Sequence, residues 1–442
     1  MKKLILEATD ENVLHSIESD TLQRSPDVKD FLTMIDMIDY NAFISVDAAW
    51  GEGKTFFIRQ IEMTMKYHYK KYFGEPTGQQ ETEAFQNNKI LKDLELDHTY
   101  LPIYFNAWLY DNHLNPLMAL LMVTIKQSGK DINTILSTDK GSKLFSVLDS
   151  FQFWNISNWS NLYEKIKGTN LLEEALLLEE VRLKVKEVFD DLIVEEAQKM
   201  VIFIDELDRC RPTFAVEILE SIKHYFDDDR IIFVMSVNKS QLIHTVSKYY
   251  GDKFDSNLYL NKFFDINIQL PKANTSVYFD LLGISCHESY WIQRCTSEIQ
   301  RHYSLSLRDT TRYFQKITAI HEKYKGIYFN DTWKVLMLFV PIYCVLDIID
   351  NEKKKRFISG NGFDIIEELV MDSDEIRRYT LRLTNIPEDN TENYRASMEE
   401  LKKIYEFGFS DDRSRGYYSG GLDIRTDLGK ECLKICNSML II

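Results

Sequence analysis

The stretch that decides the fold is Phe43-Ile-Ser-Val-Asp-Ala-Ala-Trp-Gly-Glu-Gly-Lys-Thr-Phe-Phe57, in which an apolar run is interrupted by a glycine-rich turn and then resumes. This pattern predicts a strand, a phosphate-binding loop and a helix. Gly51 and Gly53 have no Cβ, so their backbone can approach phosphate oxygens, and the amides that open the helix form an anion-binding nest. Lys54 is expected to reach the β- and γ-phosphates and Thr55 to bind Mg²⁺. The segment therefore indicates a nucleoside triphosphate site, with ATP and Mg²⁺ as the expected ligands.

We expect the whole loop to contact the nucleotide, through Ala49, Trp50, Gly51, Glu52, Gly53, Lys54, Thr55 and Phe56. The loop departs from the common Gly-x-x-x-x-Gly-Lys-[Ser/Thr] pattern at its first position, where Ala48 stands in place of glycine. A glycine turn beside an exposed lysine is the alternative interpretation of the same letters. A second motif decides between the two.

The second motif is Lys199-Met-Val-Ile-Phe-Ile-Asp-Glu-Leu-Asp-Arg-Cys-Arg-Pro212. Its apolar run predicts a buried parallel strand, and two carboxylates follow at the carboxyl end, where ligands bind in open α/β sheets. Asp205 is expected to hold Mg²⁺ as a Walker B aspartate does, and Glu206 to polarise the attacking water as a general base. An ordinary strand end with a solvated acidic turn is the alternative, which the glycine loop disfavours because each motif predicts the other.

These motifs resemble those of the KAP family of P-loop NTPases. Asp205-Glu-Leu-Asp-Arg-Cys-Arg-Pro212 is similar to the signature of that family, and Trp50-Gly-Glu-Gly-Lys-Thr55 to its Walker A loop. Three further stretches also resemble family segments: Tyr104-Phe-Asn-Ala-Trp-Leu-Tyr110, Tyr259-Leu-Asn-Lys-Phe-Phe264 and Ser306-Leu-Arg-Asp-Thr-Thr-Arg312. Together they run in order along roughly two thirds of the chain.

The resemblance implies ATP hydrolysis, and it places Arg24 where related NTPases contact the adenine side of the nucleotide. Many proteins similar to this family carry membrane helices between the two Walker motifs, whereas a soluble segment stands there in this chain. We therefore expect a cytoplasmic member without a membrane span. Bacterial members commonly act in defence against phage and plasmids, which implies a protein effector encoded nearby.

Asn238 and Arg209 are further candidates for the catalytic set. Asn238 ends the apolar run Arg230-Ile-Ile-Phe-Val-Met-Ser-Val-Asn238, where it would orient the attacking water, as polar sensor residues do in related ATPases, or simply cap the strand end. Arg209 would pair with Asp205 or Asp208 as a structural bridge, or face the γ-phosphate of a neighbouring subunit.

Arg308 and Arg312 are one helical turn apart and share a helix face. That face is either a sensor for the nucleotide or an ordinary solvated surface. Because a guanidinium supplied from a neighbouring chain can stabilise the charge that builds up in phosphoryl transfer, we expect the protein to self-associate.

Composition limits the classes of protein to which this chain can belong. The 442 residues are 44% hydrophobic and 13% aromatic, which is typical of a folded chain with sizeable cores. Sixty-nine acidic against 53 basic residues give a net charge of −16, which disfavours bulk attraction to nucleic acid. The six cysteines are scattered and are expected to be reduced thiols of a cytosolic protein.

We predict four segments: a first part of the NTPase core (1–127), a helical insertion (128–198), a second part of the core (199–275) and a mainly helical C-terminal region (276–442). The longest late apolar stretch, residues 335–346, contains Pro341 and is shorter than the ~20 residues of a membrane span, so we expect a buried helix there.

The predicted fold class is α/β, with a three-layer P-loop NTPase core around a parallel central sheet, of the glutamate-catalysed class. We expect Glu206 to stand on the strand beside the loop strand. The predicted function is an ATP-hydrolysing switch that closes the helical C-terminal region onto the core. A nucleic-acid motor, or a scaffold that holds nucleotide with negligible turnover, are the alternatives.

Overall fold

The computed structural model describes residues 7–111, 116–129, 183, 185–190, 193, 197–273, 290–324, 331–387, 391–409, 417–419, 422–424, 430–432 and 434. The chain divides into two compact units. The first is Glu7–Ala273, and the second is Asn274–Ile442 together with Met1–Leu6. Both predicted parts of the NTPase core fall almost entirely in the first unit. Most of the predicted helical insertion lies outside the described residues.

The first unit is built around five strands: β1 (Ala42–Asp47), β2 (Tyr100–Asn106), β3 (Lys199–Asp205), β4 (Ile231–Val237) and β5 (Ile266–Gln269). They form one parallel sheet in the order β2-β3-β4-β1-β5. The strands β3 and β4 are buried along their whole length, as is typical of near-continuous apolar strands in parallel sheets. Because the strands are parallel, their carboxyl ends meet at one edge of the sheet.

The expectation that Glu206 follows a strand beside the loop strand is wrong, because β4 lies between β1 and β3. Ser236 of β4 pairs with Val46 of β1 on one side and with Asp205 of β3 on the other. Both edges of β4 are therefore hydrogen-bonded, and its apolar sequence allows it to be buried on both faces. Spacing along the chain does not encode this order of strands.

Helices cover both faces of the sheet: α1 (Asp10–Ser19), α2 (Ser25–Asp36), α3 (Lys54–Phe73), α4 (Gln79–Asn87), α5 (Pro116–Gln127), α6 (Pro212–Tyr225), α7 (Lys239–Tyr250) and α8 (Ser256–Phe263). Successive strand residues point to opposite faces. Phe43 and Ile202 pack with apolar side chains of α5 to α8, whereas Ile44 and Val201 pack with those of α1 to α4. The predicted three-layer α/β core with a parallel sheet is confirmed.

The second unit is mainly helical, with α9 (Tyr290–His302), α10 (Leu307–Tyr324), α11 (Asp331–Ile349), α12 (Asn351–Ile358), α13 (Phe363–Asp372), α14 (Asp374–Leu383), α15 (Thr391–Gly408) and the hairpin strands β6 (Tyr417–Ser419) and β7 (Leu422–Ile424). Among the described residues, α11 is the one helix long and apolar enough to cross a membrane, by length and composition. Residues 335–346 within it are all buried, and Pro341 lies inside the helix. In this structure α11 contributes to the hydrophobic core of its own unit.

Candidate nucleotide site

The loop between β1 and α3 holds two glycines in the left-handed backbone region. The φ angle is 89° at Gly51 and 84° at Gly53, values that residues with a Cβ rarely adopt. Ala48 has no positive φ, and its N–H donates to Val237 O at 3.3 Å. The first position of this loop therefore does not require glycine, which explains how alanine is accommodated there.

Lys54 is the first residue of α3, and its side chain is buried at the loop. Its Nζ donates to Ala48 O at 2.6 Å and to Ala49 O at 3.2 Å. Burial lowers the pKa of Lys54, and the nearby carboxylates of Asp208 and Asp205 oppose that shift. Lys54 is thus a largely desolvated cation beside the second motif, and phosphate oxygens are natural acceptors for its protons.

The amino end of α3 presents donors that the helix itself does not use. Phe57 N donates to Gly53 O at 3.1 Å and is the first amide to donate within the helix, so the helix does not use the preceding amides of Lys54, Thr55 and Phe56. The hydroxyl of Thr55 has no hydrogen-bond partner in the part of the chain that the structure describes. The Phe56 side chain packs against the apolar cluster of α1 to α4, so the backbone N–H of Phe56 is the group that would contact a phosphate. This end of α3 has the features of an anion site.

Arg24, at the entrance to α2, is only 1% exposed. Its Nη1 donates to Gly53 O at 3.2 Å, and its Nη2 donates to Glu52 O at 2.9 Å and to Pro271 O at 3.2 Å. Burial lowers the pKa of Arg24 to about 10, so it stays protonated at neutral pH. The guanidinium therefore contacts the carbonyl side of the loop in this structure, and a contact with the adenine side of a nucleotide stays a prediction.

Asp205, the last residue of β3, is buried and held by two donors. Its Oδ1 accepts from Glu206 N at 2.9 Å, and its Oδ2 accepts from Tyr104 Oη at 3.0 Å. Burial and the Asp205 charge both raise the pKa of Tyr104, so the phenol keeps its proton and remains a donor. Each carboxylate oxygen can accept further bonds, which leaves Asp205 able to bind a hydrated cation.

Glu206 follows directly and has a left-handed backbone, with φ 63°. Its burial, and next the charge of Asp205, raise the pKa of Glu206 to about 7. A carboxylate with a pKa near neutrality matches the requirement for a general base. The left-handed backbone at Glu206 also ends β3, and a short 3-10 helix, Leu207–Arg209, begins at the next residue.

Arg209 pairs with Glu206, and the expectation that it would pair with Asp205 or Asp208 is wrong. Its Nε lies 2.5 Å from Glu206 Oε2, although the angle is too poor for a hydrogen bond. The 3-10 turn brings these residues together because it places positions three apart on one side. The guanidinium also lies 5.7 Å from the ring centre of Trp108. In this structure Arg209 therefore restrains the candidate base.

Sequence reasoning missed the roles of Tyr104, Trp108 and Asp208. Trp50 Nε1 donates to Asp208 Oδ2 at 2.5 Å, which joins the loop to the turn after β3. Tyr104 and Trp108 belong to the Tyr104–Tyr110 stretch that resembled a family segment. The sequence therefore singled out these residues, but it did not indicate which residues they contact. Their position could have indicated these contacts, because polar and aromatic residues at the carboxyl end of β2 lie at the same edge of the sheet as those of β3.

Asn238 is buried at the carboxyl end of β4 and caps α7. Its Oδ1 accepts from Ser240 Oγ at 2.8 Å and from Gln241 N at 3.3 Å. The geometry shows a helix N-cap at the residue that follows β4, whereas the sequence predicted a simple cap of the strand end. Orientation of the attacking water by Asn238 stays a prediction.

Arg308 and Arg312 are exposed on α10 of the second unit, outside the unit that carries the loop. Arg312 Nη1 lies 3.7 Å from Asp309 Oδ1, a weak surface ion pair. Their proposed approach to the nucleotide stays a prediction.

The expected Mg²⁺ fits the residues of the site. Within the described ranges there is no group of three or more His, Cys, Asp or Glu residues that could hold a metal by themselves. Mg²⁺ in nucleotide sites, however, takes only one or two protein oxygens and completes its shell with water and phosphate. Thr55, through its hydroxyl, and Asp205, with spare acceptor capacity, are the residues that would hold it.

The comparison with protein families agrees with this geometry. Among the curated proteins compared, none matches the chain. The family comparison matches the KAP family P-loop domain over residues 24–330, which is well over half of the chain and includes both the glycine loop and the Asp205-Glu206 pair. With a parallel sheet, a glycine loop and paired carboxylates at one sheet edge, the chain belongs to the KAP family of P-loop NTPases.

Proposed function

We propose that this protein is a Mg²⁺-dependent ATPase that works as a nucleotide switch. The observation that carries the proposal is the hydrogen bond from Trp50 Nε1 to Asp208 Oδ2, which joins the glycine loop to the turn directly after Asp205 and Glu206. Groups suited to binding phosphate and a group suited to activating water therefore occupy one site. The pKa of about 7 for Glu206 favours turnover over a scaffold that merely holds nucleotide.

In the proposed reaction, the loop amides and Lys54 bind and orient the triphosphate. Bound Mg²⁺, held by Thr55 and Asp205, would neutralise phosphate charge. Glu206 accepts a proton from a water molecule whose oxygen attacks the γ-phosphorus; the bond to the β,γ-bridging oxygen breaks, and ADP and inorganic phosphate result. Because Arg209 pairs with Glu206 in this structure, the loosening of that pair is a step at which turnover can be controlled.

The biological setting extends this proposal. By its resemblance to bacterial defence proteins, the protein would act in the cytoplasm against phage or plasmids and gate a protein effector encoded nearby. The sequence of the neighbouring genes tests this directly. A nucleic-acid motor is the second candidate function, and the net charge of −16 counts against it. A filter-binding titration with DNA at low and high salt distinguishes the two.

The central experiment compares phosphate release and ATP binding in the parent and in Lys54→Ala. Loss of the ammonium removes a charge-assisted contact worth about 1.5–3 kcal/mol, so we expect ATP affinity to fall by roughly 10- to 150-fold. Lys70→Ala, in the last turn of the same helix, is the matched control because Lys70 pairs with Glu81 away from the loop. Equal affinity for ATP by calorimetry in the parent and in Lys54→Ala would refute the site, and turnover that survives EDTA would refute the dependence on Mg²⁺.

A further inference from the structure

Arg24 is held in place by the turn before α2. Asp20 Oδ1 accepts from Ser25 N at 3.1 Å and from Ser25 Oγ at 2.8 Å. Asn88 Nδ2 donates to the same hydroxyl at 2.7 Å. Because Ser25 is bonded from two sides, the backbone of its neighbour Arg24 has a defined position, and the side chain enters the interior from a fixed point.

The terminal nitrogens of Arg24 bind three backbone carbonyls, two of which belong to the phosphate-binding loop. In a planar trans peptide the C=O and the following N–H point in opposite directions. Drawing Glu52 O and Gly53 O towards Arg24 therefore turns the N–H groups of Gly53 and Lys54 away from it. A cation bound at a carbonyl also polarises the amide of the same peptide and strengthens it as a donor. Arg24 thus sets the direction and strength of two loop amides without facing a phosphate itself.

The third carbonyl lies at the end of the first unit. Leu270 N donates to Asp47 O at 2.9 Å, which extends the β5 pairing by one residue, and Pro271 follows. The second unit begins at Asn274. One nitrogen of Arg24, Nη2, bridges Glu52 O and Pro271 O, so the loop and the segment that leads into the second unit share a single donor group.

We propose that Arg24 is a positioning residue that couples the phosphate-binding loop to residues 270–273. Phosphate bound at the loop draws the Gly53 and Lys54 amides towards it, which moves the Glu52 and Gly53 carbonyls and with them the shared guanidinium. The bond to Pro271 O then changes, and the state of the nucleotide is passed to the chain that enters the second unit. This inference rests on the proposed function for its ligand.

The test measures hydrogen exchange of a peptide spanning 268–276 in the full chain, with and without Mg²⁺ and a non-hydrolysable ATP analogue. In the parent we expect the analogue to change the exchange rate of this peptide. In Arg24→Gln we expect analogue affinity to fall about 10-fold, the loss of one or two hydrogen bonds to a charged group, and the exchange response to disappear. Arg24→Lys keeps the buried cation, so this variant should fold. Because all donors of lysine are on one nitrogen atom, it should show less than half of the parent exchange response.

Arg230→Gln is the matched control, since Arg230 is a part-buried arginine that bonds Asp228 and Asp190 just before β4, at the amino end of the sheet. It should leave both affinity and the exchange response unchanged. Parent-like affinity and response in Arg24→Lys and Arg24→Gln would overturn the proposal. So would a parent that binds the analogue but shows no change over 268–276. A parent that binds no nucleotide at all refutes the proposed function instead, so the two failures are distinguishable.

Discussion

At the scale of single residues, Glu206 combines two features that cost stability. A left-handed backbone in a residue with a Cβ costs about 1–3 kcal/mol, and desolvation disfavours its charged form. Because the folded protein raises the pKa of Glu206, it binds this proton more tightly than the unfolded chain does. This residue therefore lowers stability progressively as pH rises from about 4.5 to about 7. Such a residue persists where its chemistry is used.

Glu206→Gln should keep ATP binding and lose most hydrolysis, because the amide has the same shape but cannot accept a proton. The expected loss in turnover is about 10²–10⁴-fold, measured as steady-state phosphate release. In the parent, kcat/KM should fall about tenfold per pH unit below about pH 7, as the carboxylate of Glu206 becomes protonated. Above pH 7 the variant should also melt at a higher temperature than the parent, because it carries no desolvated charge at position 206.

Glu217→Gln on α6 is the control for Glu206→Gln, since burial also raises the pKa of Glu217. It should leave turnover unchanged. If Glu206→Gln turns over within about threefold of the parent, another group activates the water.

At the scale of elements, the site is assembled by side chains that reach between separate segments of one sheet edge. Trp50 joins the loop to the turn after β3 through Asp208, and Tyr104 joins β2 to β3 through Asp205. Trp108, which follows β2, lies over Arg209, which follows β3. These contacts join the loop to the segments that carry the carboxylates, so we expect a change at one to affect the other.

Trp50→Phe tests this connection, because it removes the indole donor and keeps an aromatic ring. We expect ATP affinity to fall about 3- to 10-fold. A buried hydrogen bond to a charged acceptor contributes roughly 1.5–3 kcal/mol, and the contribution is smaller here because the Trp50 side chain is half-exposed. Calorimetry on Trp50→Phe, Asp208→Ala and the double variant completes a mutant cycle. Strictly additive losses would show that the two residues act independently.

At the scale of the whole molecule, the candidate catalytic groups lie in the first unit, while the exposed arginines of α10 lie in the second. In the proposed switch, a change at the nucleotide would be passed from one unit to the other. Two arrangements are to be tested: an arginine that completes the site within one chain, and an arginine that does so between chains.

If Arg308 or Arg312 completes a neighbour's site, turnover per chain should rise with protein concentration in the presence of ATP. An arginine supplied from outside can accelerate phosphoryl transfer by about 10³–10⁵, so Arg308→Ala should lower turnover strongly and leave nucleotide affinity intact. Arg301→Ala, an exposed arginine of α9 that pairs with Glu298, is the matched control. A monomer by light scattering in ATP, with turnover independent of concentration, would refute self-association.

The sequence by itself determined the family of this protein and the type of its core. The glycine loop, the apolar strand before Asp205 and the periodicity of the strands are local patterns, and local patterns are read directly from adjacent letters. What only the tertiary structure decided are contacts between residues far apart in the chain: the insertion of β4 between β1 and β3, the pairing of Arg209 with Glu206 across a 3-10 turn, and the bridge from Arg24 to Glu52 and Pro271. A hydrogen bond across 247 residues depends on how elements pack, and no short-range preference encodes it.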